Sequence, residues 1–176
     1  TDKANPGTPV YMNTSGNASG VTVSGNYAYV ADNTSGLAII DITDPTSPGT
    51  PIYKGTSGYA LGVTVAENYA YLACDTSGLD IIDISDPTSP GNPINIAVND
   101  LSFGIDISDN YVYIANRNSG LVIIDVSNPS SPGNPVYKET TNGGTREVAI
   151  SGNYAYLANS QTGLAIIPLN SGLIQD

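Results

Sequence analysis

Asp100, Asp106 and Glu147 are the residues with the most chemical potential in this sequence. Two carboxyl groups flanking a glycosidic oxygen can act as acid and base or nucleophile, so a pair drawn from these three suits glycosidase-like chemistry. Nothing in their spacing requires such a pair. The chain has no histidine, which excludes Ser/His and Cys/His nucleophile pairs within it. The expectation is therefore a protein that is not an enzyme, with no catalytic residues and no cofactor. Asp41, Asp83 and Asp125 recur along the chain and could in principle converge on a metal ion. Their recurrence fits better with carboxylates that accept backbone N–H bonds from the proline-rich stretch after each, so no metal site is expected.

Binding is the stronger candidate. The segments Asn17-Ala18-Ser19, Tyr59-Ala60-Leu61, Leu101-Ser102-Phe103 and Gly144-Thr145-Arg146 occupy equivalent places yet differ in residue type. Variable loops on a constant scaffold are where a specific site forms. The candidate ligand-binding residues are Tyr59, Asp100, Phe103, Arg117, Arg146 and Glu147. Arg117 and Arg146 are the only arginines, so a bidentate anion contact would use one of them. Three Asn-x-Ser/Thr sequons, at Asn13, Asn17 and Asn33, are candidate glycosylation sites in predicted loops. The single cysteine, Cys74, excludes an intrachain disulfide and is expected to be an inert, partly buried thiol.

The elements that position these residues come from an internal repeat. Tyr69 to Pro93 reads YAYLACDTSGLDIIDISDPTSPGNP, and the same pattern starts at Tyr27 and Tyr111, with a shorter version at Tyr154. The first unit shows the layout. Val21–Ser24 is a strand, Gly25-Asn26 a turn, and Tyr27–Ala31 a second strand rich in β-favouring residues. Leu37–Ile42 is a third strand, apolar on both faces. Asp44-Pro45-Thr46-Ser47-Pro48-Gly49 is a loop, and Pro51–Lys54 a short fourth strand. The units run over about 20–55, 62–98, 104–139 and 148–170 of one domain, 1–176. The last unit lacks a fourth strand, and Gly7-Thr8-Pro9-Val10-Tyr11-Met12 matches Gly49-Thr50-Pro51-Ile52-Tyr53-Lys54. Four-stranded units of 40 to 45 residues are the signature of propeller blades. The predicted fold is an all-β propeller of four blades of four antiparallel strands, the last completed by the N-terminal strand 7–12.

Composition narrows the partners. The net charge is −11, from 16 acidic and five basic residues, which disfavours nucleic acid and anionic membranes. No apolar run approaches the length of a membrane span, so no membrane insertion is expected. Twelve tyrosines recur at fixed repeat positions, where packing between blades is their default role.

The stretches Leu37-Ala38-Ile39-Ile40-Asp41, Leu79-Asp80-Ile81-Ile82-Asp83 and Leu121-Val122-Ile123-Ile124-Asp125 each follow a Tyr-x-Tyr-aliphatic-Ala strand and a Ser-Gly turn. With these motifs the chain resembles the LVIVD-repeat β-propellers over nearly its whole length. The YVTN-type surface propellers are the next nearest resemblance. Both imply an extracellular or cell-surface, prokaryotic protein. The expected function is a non-catalytic binding or self-assembly scaffold, with polymerisation by strand exchange as one form the assembly could take, a protein or copies of itself as partner and a glycan as a second candidate. The alternative is a carbohydrate-binding or carbohydrate-active propeller, a lectin or a carboxylate-based glycosidase or lyase. Four repeats leave three closures open: one chain as a four-bladed ring, two chains as an eight-bladed ring, or head-to-tail strand donation without closure. The four-bladed ring is the expectation.

Overall fold

A computed structural model describes residues 4, 7–140 and 143–169. Among them there is no helix, and fifteen strands form four separate antiparallel sheets. The first blade is β1 (Gly20–Ser24), β2 (Tyr27–Ala31), β3 (Leu37–Asp41) and β4 (Ile52–Lys54), in that spatial order. The second is β5 (Gly62–Ala66), β6 (Tyr69–Ala73), β7 (Leu79–Asp83) and β8 (Ile94–Ile96). The third is β9 (Ser102–Ser108), β10 (Tyr111–Asn116), β11 (Gly120–Asp125) and β12 (Val136–Lys138). The fourth has three strands, β13 (Thr145–Ser151), β14 (Tyr154–Asn159) and β15 (Gly163–Pro168). Each blade is a meander, and the protein is a β-propeller of four blades.

The register repeats as well as the strand count. Tyr27, Tyr69 and Tyr111 each lie opposite the Asp that ends the third strand, Asp41, Asp83 and Asp125. In the fourth blade Tyr154 faces Pro168 instead. The inner hairpins turn at Gly25, Glu67, Asp109 and Gly152, all with positive φ. Two of the four hairpins thus hold a side chain in a region that glycine enters without strain.

The recurring aspartates have the structural role expected of them. Asp41 accepts from the Thr43 N–H, Asp83 from Ser85 and Asp125 from Ser127, each at 2.8 Å. Asp44 and Asp86 accept from Thr46 and Thr88 at 2.9 Å, and Asn128 from Ser130 at 3.2 Å. These bonds fold each proline-rich connection over the end of its blade. They favour the charged form, so Asp41 (chiefly through the Thr43 side chain) and Asp83 (chiefly through the Ser85 N–H) sit below the usual carboxylate pKa.

Apolar strand faces pack blade against blade. Tyr29, Leu37 and Ile39 of the first blade bury Val63, Leu72 and Ile82 of the second. Tyr71, Leu79 and Ile81 do the same for Ile105, Ile114 and Ile124 of the third. Tyr113, Leu121 and Ile123 cover Val148, Leu157 and Ile167 of the fourth. Each junction is a separate core, and each fully buried Leu or Ile contributes about 1.5–3 kcal/mol.

The N-terminal closure is not what the structure shows. Residues 7–12 form no strand and do not pair with β15, and Tyr11 is 87% exposed. The inner strands contact one another in the order β1, β5, β9, β13, and among the described residues β13 makes no comparable contact with β1. The four blades are therefore an open series with two free ends. The reason is local: Thr14 and Gly16 are tied to the first blade through Asp32, on the far side of the series from β15. The Thr14 hydroxyl and Gly16 N–H donate to its carboxylate at 2.7 and 2.8 Å. Residues 170–176, including the last residue of the expected fourth unit, lie outside the described residues.

Candidate functional site

The four innermost strands line a hollow of about 540 Å³, with Ser19–Thr22, Leu61–Thr64, Phe103–Asp106 and Arg146–Val148 as its walls. Glycines let three of these strands converge. A Cβ at Gly20 would meet the Leu61 carbonyl at 3.1 Å, and one at Gly62 or Gly104 would press on the backbone of Phe103 or of Glu147. Glu147 stands where Gly20, Gly62 and Gly104 stand in the other blades, beside a break in register between Thr145 and Glu147.

The walls are mostly backbone, Thr and Val, with charge on one side only. The Arg146 guanidinium lies 4.8 Å from the centre of the Phe103 ring, a cation–π contact. Glu147 lies over Gly104 and faces Asp106. Burial, and then the Asp106 charge, push the Glu147 carboxyl above its usual pKa, although much of the side chain stays open to water. Asp106 is held by the strands it sits on: it accepts from the N–H of Ile107 at 2.8 Å and of Ile150 at 2.7 Å.

Of the residues singled out from sequence, Phe103, Arg146 and Glu147 meet here. Tyr59, Asp100 and Arg117 do not line the hollow. Tyr59 is exposed on its loop. Asp100, at φ 71°, accepts from the N–H of Leu101 and of Asn118, both at 2.8 Å, and so braces a turn. Arg117 uses its backbone: its N–H donates to Leu101 and its carbonyl accepts from Gly144 and Thr145. The sequons divide, with Asn13 and Asn17 exposed and Asn33 half-buried. Asn33 exchanges two backbone hydrogen bonds with Ala60 across the first junction, at 3.0 and 3.1 Å. Cys74 is fully buried, and burial pushes its thiol pKa far up. Among the described residues no cluster of three or more His, Cys, Asp or Glu side chains is placed to hold a metal ion.

Sequence reading passed over the outer faces of the end blades. Leu164 and Ile166 of β15 are 63% and 53% exposed, and Val21 and Val23 of β1 are 67% and 60% exposed. The signal was present. Leu164 and Ile166 align with Leu37 and Ile39, and Val21 and Val23 with Val63 and Val65.

The model of the LVIVD repeat matches residues 15–51, 57–96, 102–134 and 142–168, one match for each blade. The chain belongs to the LVIVD-repeat family. Many solved structures resemble these LVIVD blades, three of them as follows. The computationally designed Ika4 protein has a TM-score of 0.69 at 8% identity, over 94% of this chain and all of that one. The designed Ika8 protein has 0.67 at 8%, over 86% of this chain and 45% of that one. AztD of Citrobacter koseri has 0.57 at 14%, over 88% of this chain and 44% of that one. The LVIVD chain thus spans less than half the length of Ika8 and of AztD. No curated protein sequence matches it.

Proposed function

We propose that this LVIVD propeller is a non-catalytic scaffold of the extracellular space or cell surface, which works by joining its free end faces to a partner. One observation carries the reading. The residues that seal every internal junction recur on the outermost blades, where Leu164, Ile166, Val21 and Val23 are exposed among the described residues. Apolar patches of this kind mark interaction surfaces. The test is particle mass against protein concentration. Growth of mass with concentration, abolished by Ile166→Asp, is the expected result. A chain that stays a single copy at every concentration, and captures no protein partner through these faces, would refute it.

A second reading has its own observation. The Phe103–Arg146 stack beside Asp106 and Glu147 gives the axial hollow an aromatic face and two carboxylates, features suited to a sugar. This reading predicts saturable glycan binding that Phe103→Ala weakens at least tenfold. Turnover of a glycan, lost in Glu147→Gln, would make the site catalytic instead.

A further inference from the structure

We infer that the partner at the free faces is a second copy of this chain, and that two copies close head to tail into one eight-bladed ring. This rests on the scaffold reading above and specifies it. The argument begins with how blades are linked. At the first internal junction the chain leaves β4 and crosses to the second blade, where the Ser57 N–H donates to Asp80 at 2.6 Å and Gly58 packs on the Cys74 carbonyl. Ser15 and Gly16 are the same repeat positions one unit earlier. They are seated on the first blade at equivalent places: the Ser15 N–H donates to the Tyr53 hydroxyl at 2.9 Å, as that of Asn99 in the next linker does to the Tyr137 hydroxyl at 3.0 Å, and Gly16 packs on the Asp32 carbonyl. The linker into the first blade thus takes the position that an internal linker takes, with no other blade beside it among the described residues.

What should precede that linker is a fourth strand lying on another blade's third strand. Val10–Met12 has the matching sequence and stands unpaired. The only blade without a fourth strand among the described residues is the last, whose β15 presents a free edge. Within one chain the two stand at opposite ends of the series β1, β5, β9, β13 and are not paired. Between two copies they can pair. The internal pairing of Leu37 with Lys54 and Ile39 with Ile52 then predicts Leu164 opposite Met12 and Ile166 opposite Val10 of the other copy.

The faces agree with the strands. The outer face of the last blade is the kind that internal blades turn toward the next blade, and the outer face of the first is the kind they turn toward the previous one. The contact is therefore between unlike faces. Such contacts either close into a ring or run on as a filament. The ring is the closed form of that contact; the four blades match 45% and 44% of two larger structures, and the whole of a third that is about their own length. A hollow of about 280 Å³ between Met12 and Val21, Val30 and Ile40 remains on the first blade to receive the incoming side chains.

The experiment is light scattering of the intact chain, with electron microscopy of the same sample. The expected particle has twice the 18.1 kDa chain mass and appears as a ring. Ile166→Asp and Val23→Asp, on opposite end faces, should each reduce it to a single copy. Mixing the two variants leaves one seam unaltered and should restore part of the double mass. Restoration is specific to contact between unlike faces. Val10→Cys combined with Ile166→Cys should give an oxidised species of two chains. Long polymers in place of the ring would overturn this inference while leaving the scaffold reading standing. A single copy under all conditions would overturn this inference, and the scaffold reading with it if the end faces also capture no protein partner. A double-mass particle indifferent to Val23→Asp would mean that like faces meet, and would also overturn the ring.

Discussion

β3 and β15 carry nearly the same motif, Leu-Ala-Ile-Ile, in opposite surroundings. In β3, Leu37 and Ile39 are 0% and 1% exposed, because the second blade lies across them. In β15, Leu164 and Ile166 project into solvent. The tyrosines show that the end blade is otherwise intact. The Tyr27–Tyr29 rings are 6.5 Å apart at 50°, and the Tyr154–Tyr156 rings 6.4 Å apart at 51°. The blade is thus built the same way whether or not a neighbour covers it. Burial here belongs to the junction rather than to the residue. Stability in such a series is a sum of blade terms and nearest-neighbour terms, and the end blades each lack one.

That contrast is most sharply broken by placing a charge at the same repeat position in both settings. Ile81→Asp buries an unpaired carboxylate in the second junction and should cost more than about 4 kcal/mol, enough to unfold the blades around it. Ile166→Asp should change the stability of the dilute single chain by no more than about 0.5 kcal/mol. Urea unfolding at low protein concentration measures both. Equal losses would mean that the last blade is already covered in solution under those conditions.

The linkers give a second, smaller test. Asp80 is fully buried, accepts from Ser57 and from the Asn95 amide, and holds the internal linker. Asp80→Ala should cost about 1–3 kcal/mol of unfolding free energy, since it removes the hydrogen bonds to a buried carboxylate. Asp32 holds the terminal linker through Thr14 and Gly16. Asp32→Ala should weaken self-association by at least tenfold and affect the single chain less than Asp80→Ala does. Comparing unfolding with the concentration dependence of particle mass separates the two. A loss of stability in Asp32→Ala equal to that of Asp80→Ala, with association unchanged, would place the role of Asp32 within the first blade alone.

Much of this was legible in the sequence because strand periodicity and turn chemistry are local. The Tyr-x-Tyr strands, the Leu-x-Ile-Ile-Asp strands and the Asp-Pro loops all lie where the repeat puts them. The site was less legible, for physical reasons. Phe103 and Arg146 meet because adjacent inner strands converge at glycines, a consequence of blade packing that no single unit encodes. Asp100 and Arg117 looked equally available, yet backbone bonds engage them at a turn. The fate of Val10–Met12 depends on whether the ends of the series meet, which follows from blade-to-blade rotation rather than from any residue.

Like residues in unlike surroundings can also be compared by titration. Asp83 lies in the open and accepts hydrogen bonds from Ser85, so its pKa falls below the usual value. It contributes stability above the unfolded-state pKa, and that contribution is lost as pH drops through the folded value. Glu147 at the axial hollow is displaced the other way by burial and by Asp106. Its carboxyl opposes folding least at pH below the ordinary value, and the opposition grows as pH rises through the raised folded value. Asp83→Asn should therefore lower stability at neutral pH and be nearly silent in acid. Glu147→Gln should raise stability at neutral pH, by less than about 1 kcal/mol because water reaches the group, and should also fall silent in acid. Unfolding free energies of both variants against the parent, from about pH 3 to pH 7, give two curves of opposite sign that converge at low pH. Curves of the same sign would mean that Glu147 is held in its charged form, with the Arg146 guanidinium as the group most able to do so.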